Sequence, residues 1–301
     1  MKNRLSLALI FALAVVATTT ALAKPPPPKW WTEENERYRF MTDLSPSKGK
    51  AFITRAMRLA EAMRRSYEFY VPPLKPVKLS TVKVFKALSE YREYRAASGD
   101  VDSTSIGLWD PNREELLISA EGEREDALSI MRHEAFHQYL FYATGRGDHA
   151  LWFNEGHACF FESVEYNSAK NTVKVVDKGN RAEWVERDPK RVASAIKSVL
   201  KMDRAAYYGG SSDAVNLHYV TGWAIVYFLQ NGAYAHERFA PYRKVVPKYL
   251  ELMAAGCDAR EATEQAWALV ADRDIEADFL RFWEQYRKLS RNARLKEQQK
   301  Q

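Results

Sequence analysis

The chain has 301 residues, of which 45 are Lys or Arg and 39 Asp or Glu, for a formal net charge of +6. A charge this small, spread over many residues of both signs, argues against a nucleic-acid-binding protein. The only two cysteines, Cys159 and Cys257, lack the spacing of a thiolate zinc site, and there is no internal repeat.

Lys2 and Arg4 precede an uncharged apolar stretch over residues 5–16, and Ala21-Leu22-Ala23 forms a small-residue cleavage site. Residues 1–23 are therefore expected to be a signal peptide, and the mature chain, beginning at Lys24, a secreted or periplasmic protein. No other segment is long and apolar enough to span a bilayer. Outside the cytoplasm the two cysteines meet an oxidising compartment; a bridge is open to them, although Cys159 also suits a buried small hydrophobe. Residues 24–45 read as a Pro-rich linker, stiffened by residues 25–28 and docked through Trp30-Trp31. A single domain is expected over residues 46–290, with an α+β lobe over about 46–145, a helical lobe over about 150–290 and a basic tail at 291–301.

Within the first lobe, residues 47–70 predict a helix ended by Pro72-Pro73. Residues 79–85 alternate as a strand, 87–97 return to helix, and 106–109 and 115–119 form two short strands around the turn at Asp110-Pro111-Asn112. This βαββ order leads into a Gly- and Pro-free helix over residues 123–142. Its residues Leu128, Met131, Ala135 and Tyr139 make an apolar stripe flanked by Ile130, Leu140 and Phe141, so the helix is expected to be buried.

That helix carries His133-Glu134-Ala135-Phe136-His137. Residues four apart share a helix face, so both imidazoles can reach one metal, while Glu134 is rotated by about 100° toward the position of a water. Two histidines and a glutamate on a buried helix need a partner that satisfies them, and a zinc ion is the simplest. A catalytic zinc takes three protein ligands and keeps a position open. Glu155, separated from His137 by 17 residues that allow a loop through Gly145 and Gly147 and a second helix, is the leading third ligand. His149, beside Asp148, and His157 remain as rivals. Glu162 falls on the same face of the second helix as Glu155 and is placed to orient a ligating imidazole.

His133, Glu134 and His137, followed by Trp152-Phe153-Asn154-Glu155-Gly156-x-Ala158 and Glu162, resemble the gluzincin metallopeptidases, in particular their aminopeptidase N-like branch, over residues 133–162. More loosely, residues 46–232 resemble secreted bacterial proteins with a peptidase-like H-E-x-x-H domain. The resemblance implies a zincin-like α+β fold, zinc held by His133, His137 and Glu155, and Glu134 as general base. It also implies an edge strand above the active-site helix, for which residues 105–109 are the candidate, paired with an extended peptide substrate. The chain departs from the thermolysin-type pattern at Cys159, where an Asp is expected, while Glu162 matches the aminopeptidase-like position.

Beyond Glu162 the pattern predicts a short strand at 172–176 and helices at 188–202, 214–230, 236–255, 260–270 and 275–289. In the resembling families a Tyr or His of the C-terminal lobe stabilises the oxyanion; Tyr219 and His218 are the candidates, with Tyr207 and Tyr208 behind them. The expected activity is hydrolysis of a peptide or protein substrate. The alternative is a non-catalytic, zinc-stabilised binding protein of the cell envelope.

Overall fold

The computed structural model describes residues 30–97, 105–122, 124–176 and 178–287. The expected signal peptide, residues 25–28 and the basic tail lie outside these residues. The fold is α+β, a small mixed sheet followed by a mostly helical C-terminal part, as expected.

Five strands form the main sheet: β1 (Trp31–Glu34), β2 (Tyr38–Thr42), β3 (Ser80–Phe85), β4 (Gly107–Asp110) and β5 (Glu115–Ser119), in the spatial order β1-β2-β3-β5-β4. The pairs β2/β3 and β3/β5 are parallel, while β1 and β4 join antiparallel at the two edges. Period-two alternation sends Val82, Val84, Leu116 and Ile118 into the main core. Phe85 and Leu117 face the other side, where they pack with Tyr91 of α2 (Leu88–Ala96). On the main-core side lie α1 (Pro46–Tyr70) and α3 (Arg124–Thr144).

The segment read as a linker is corrected here, because residues 31–42 supply two strands of the sheet. Tyr38, Phe40 and Thr42 alternate into the buried side of β2. Trp30 stacks edge-on against Phe85 at 5.1 Å and the Trp31 indole donates to the Leu44 carbonyl, so the tryptophan pair docks as expected.

α4 (Leu151–Glu162) follows α3, and the strand expected near residue 172 is β7 (Thr172–Val175), paired with a strand the sequence did not announce, β6 (Val164–Asn167). The helix expected over 188–202 is α6 (Pro189–Val199), for which the Asp188 carboxylate accepts from the Arg191 N–H at 3.0 Å as cap. An additional helix, α5 (Asn180–Arg187), precedes it, and a single turn and a half, α7 (Arg204–Tyr208), follows. α8 (Ser212–Gln230) is the long central helix. The expected helix 236–255 divides into a 3-10 segment with Pro241 inside it and α9 (Val245–Ala254). α10 (Ala259–Ala268) and α11 (Ile275–Arg281) follow; α11 widens into a π turn at Phe282–Tyr286, and the end of the helix expected to reach 289 lies outside the described residues. No helix among the described residues is long and apolar enough to cross a membrane.

One crossing sets the geometry of the second lobe. A Cβ on Gly156 of α4 would lie 2.6 Å from the Gly222 carbonyl oxygen and 2.9 Å from Val226 Cγ2, so α4 and α8 meet backbone to backbone. Gly156→Ala is expected to destabilise the protein by about 1–3 kcal/mol through overpacking, which outweighs the ~1 kcal/mol that Ala gains over Gly in helix propensity. The denaturant midpoint reads the sign. A stabilised variant would show that the crossing has room to spare.

Candidate metal centre

α3 presents His133 and His137 one turn apart, with ring centroids separated by 4.9 Å. The expected stripe of Leu128, Met131, Ala135 and Tyr139 is buried beneath them. The Tyr67 hydroxyl of α1 donates to the Arg132 carbonyl at 2.8 Å, fixing the turn that carries His133.

α4 returns antiparallel to α3 and brings Glu155 to the two imidazoles. His133 Nε2 lies 3.3 Å from Glu155 Oε2, and His137 Nε2 lies 3.7 Å from Glu155 Oε1. The ligand atoms of His133, His137 and Glu155 all fall within 4.8 Å of one another. A tetrahedral centre with bonds near 2.1 Å separates its ligand atoms by about 3.4 Å, so the spacing fits a zinc ion. The buried Glu155 Oε2 has no hydrogen-bond donor, which is costly for a carboxylate unless a cation completes it.

The far sides of both rings are held. His137 Nδ1 is 2.7 Å from Asn154 Oδ1, and His133 Nδ1 is 3.5 Å from Glu162 Oε2. With acceptors opposite Nδ1, each ring would present its Nε2 lone pair to a metal ion bound at the cluster. Glu162 is itself anchored by Arg181 at 2.7 Å. Cys159 is buried and free, adjoining His133, and Cys257 is also free, so the two form no bridge.

Burial alone would raise the Glu155 carboxyl, but His137, His133 and the hydrogen bond from Tyr208 hold it down at about 2. Glu162 is likewise held at about 2 against burial, by His133 and Arg181. Burial opposes a charge on His133, yet Cys159, Glu155 and Glu162 lift it well above the usual imidazole range. The cluster is thus an anionic pocket that draws a positive charge, whether proton or metal ion.

Glu134 is not one of the three converging groups but lines the same cavity. Its Oε2 accepts from the Trp109 N–H at 3.0 Å, which ties it to β4. β4 occupies the sheet edge expected for it. Gly107 lets that edge approach α3: a Cβ there would lie 2.2 Å from Ile130 Cγ2 and 3.3 Å from Glu134 Cγ. The Gly107 N–H donates to the Ser105 hydroxyl at 3.1 Å, and that hydroxyl donates back to the Gly107 carbonyl at 2.7 Å.

The rival ligands stand elsewhere. His149 Nε2 is 2.9 Å from Thr144 Oγ1 and burial lowers the imidazole to about 4. His157 is fully buried, with Nδ1 2.8 Å from the Phe153 carbonyl and Nε2 3.1 Å from Gln230, and burial lowers it to about 3. Asp148 pairs with Arg146. Neither histidine joins the His133, His137 and Glu155 group.

A cavity of about 740 Å³ opens over the cluster between β4, α3, the loop at 146–149, α7 and α8. Tyr219 lines it, and burial together with the Glu155 carboxylate raises its phenol, so it stays a donor. Tyr208 also lines it and donates to Glu155 Oε1 at 2.6 Å. His218 is not among the residues lining this cavity; its Nδ1 lies 2.7 Å from the Tyr207 carbonyl, and the Tyr207 hydroxyl donates to the His218 carbonyl at 3.2 Å. Sequence reasoning missed the contacts of Asn154, Tyr208 and Arg181 with the cluster. Asn154 was findable as the neighbour of Glu155; the other two arrive by tertiary packing.

A sequence-family model described as "Protein of unknown function (DUF1570)" matches residues 127–248, a span that holds His133, Glu134, His137, Glu155, Glu162, Tyr208 and Tyr219 but not the main sheet. A search of curated proteins found no match. Over α3 to the start of α9, the chain is similar to that family.

Proposed function

We propose that this chain is an exported zinc metallopeptidase of gluzincin type. The observation that carries the reading is the convergence of two Nε2 atoms and the Glu155 carboxylate, with one buried oxygen left unpaired, beside a glutamate tied to a sheet edge. His133, His137 and Glu155 would hold the zinc, and Glu162 and Asn154 would orient the two imidazoles. Zinc, when bound, supplies Lewis acidity that lowers the pKa of a water and polarises a carbonyl.

The protein's own groups do the rest. Trp109 N–H holds Glu134 by Oε2, leaving Oε1 to take a proton from the attacking water and return it to the leaving amine. The Tyr219 hydroxyl donates to the carbonyl oxygen as it gains charge. Edge strand β4 meets an extended peptide along its backbone, exchanging the Ser105 contacts for substrate contacts. Glu162 occupies the partner position behind His133, so the Cys at 159 does not leave that imidazole without a carboxylate.

Metal analysis of the purified mature protein is expected to find about one zinc per chain. The same protein should cleave members of a broad peptide library, and a chelator should abolish the cleavage. Zinc bound without cleavage of any member would move the reading to the non-catalytic envelope protein, and no zinc after reconstitution would remove the metal site.

A further inference from the structure

The charge pattern of the cavity narrows the substrate beyond peptide hydrolysis, and the argument rests on the peptidase reading. Among the described residues two carboxylates line the cavity, Glu134 and Glu155, and both belong to the proposed reacting centre. Among the described lining residues no further carboxylate is left to receive the free ammonium of a peptide N-terminus. The other Asp, Glu, Lys or Arg residues among the described lining are three arginines, Arg95, Arg146 and Arg204.

Their situations differ. Arg146 is committed to structure: it pairs with Asp148 through Nε and Nη2, and its Nη1 donates to the carbonyls of Met253 and Cys257 at 3.2 and 2.8 Å. Arg95 is 3% exposed and reaches the Tyr91 hydroxyl and the Ser105 carbonyl at 3.3 and 3.5 Å, so it is engaged within the protein. Arg204 is exposed, on the opposite wall. Its guanidinium lies over the Tyr208 ring at 5.1 Å, and among the described residues no carboxylate forms an ion pair with it. Tyr208 is the residue that donates to Glu155 Oε1, so a single tyrosine ring separates Arg204 from the metal centre.

We propose that the cavity takes an acidic peptide and that Arg204 receives its carboxylate, either an Asp or Glu side chain or the chain's own C-terminal carboxylate. With about 3.3–3.6 Å per extended residue, a carboxylate within roughly three residues of the scissile bond reaches Arg204 while that bond lies at the zinc cluster. A guanidinium held over an aromatic ring keeps its N–H groups available and can pair with a carboxylate through two parallel N–H groups. Among the described lining residues, specificity for an N-terminal residue, as in aminopeptidases, has no counterpart.

The test uses the full mature protein with zinc. Peptides in matched sets carry Glu or Gln at each position near the cleaved bond, and a free or an amidated C-terminus. Product mapping by mass spectrometry gives kcat/KM, and fluorescence anisotropy on the Glu134→Gln protein gives binding without turnover. Preference for the Glu member identifies the side chain as the source, and preference for the free terminus identifies the C-terminus. In either case Arg204→Gln should reduce the acidic-to-neutral ratio roughly tenfold, mostly through KM, and Arg204→Lys should restore part of it. Cleavage of neutral and acidic members at equal rates would overturn the inference and leave the peptidase standing. Salt-sensitive, Arg204-dependent binding of acidic members without any cleavage would uphold the inference and remove the peptidase. An unchanged ratio in Arg204→Gln would overturn it in either assay.

Discussion

Glu134→Gln is expected to retain zinc and lose about 10²- to 10⁴-fold in peptide turnover, the contribution typical of a positioned general base. The glutamine is isosteric, and its carbonyl oxygen can still accept from the Trp109 N–H that holds Glu134 Oε2 at 3.0 Å. The variant should therefore fold and keep β4 against α3. Glu134 is absent from the group of converging ligand atoms, so zinc content should stay near one per chain. What disappears is the capacity to take a proton from water and hand it to the leaving nitrogen, since an amide is neither basic nor acidic enough for either transfer. Single-turnover rates separate this loss from slow product release. Normal turnover in the variant would take Glu134 out of the reaction.

The two histidines and Glu134 were legible because helix geometry is local: positions 133, 134 and 137 fix their own relative directions once the segment is helical. The helix was legible from its unbroken run of formers and its apolar stripe, all of which is buried. Glu155 could be ranked but not chosen over His149 and His157, since loop geometry decides which side chain arrives. The structure places both histidines among buried aromatic rings, with Phe153 beside His149 and Phe136 stacked on His157. The strands β1 and β2 were hidden by their shortness and by the acidic run at residues 33–36, and only pairing with β3 reveals the alternation of Tyr38, Phe40 and Thr42. α5 buries little more than Ala182 and Val185, too faint an apolar pattern to stand out beside α6. The breaks in the C-terminal helices follow Pro241 and the aromatic cluster at Phe282 and Trp283, packing facts that a period of 3.6 does not record. Tyr208 could not be tied to Glu155 from sequence, because their positions are 53 apart and α7 is only five residues long.

Glu155→Ala is expected to abolish most of the zinc binding, and thermal denaturation reads this without any substrate. A ligand present at a thousandfold excess over its Kd stabilises the folded state by about 4 kcal/mol. For a domain of this size that is an upward shift of roughly 10 °C, which the Glu155→Ala protein should lack. The carboxylate lies beside both imidazoles, so its loss leaves two candidate ligand atoms where three stood. Without zinc the substitution has opposing effects. It removes a buried oxygen that has no hydrogen bond, but it also removes the carboxylate that faces His133 and accepts from the Tyr208 hydroxyl. The metal-free melting temperature should therefore move less than the zinc-dependent shift. A full zinc shift in Glu155→Ala would transfer the role of third ligand to the neighbouring group of His133, Cys159 and Glu162. Against that outcome stands Arg181, whose guanidinium lies 2.7 Å from Glu162 and would repel a cation brought to the same carboxylate. Glu155 meets the histidines with no such opposing charge, which is why the metal is expected there and not at Glu162, about two turns along α4.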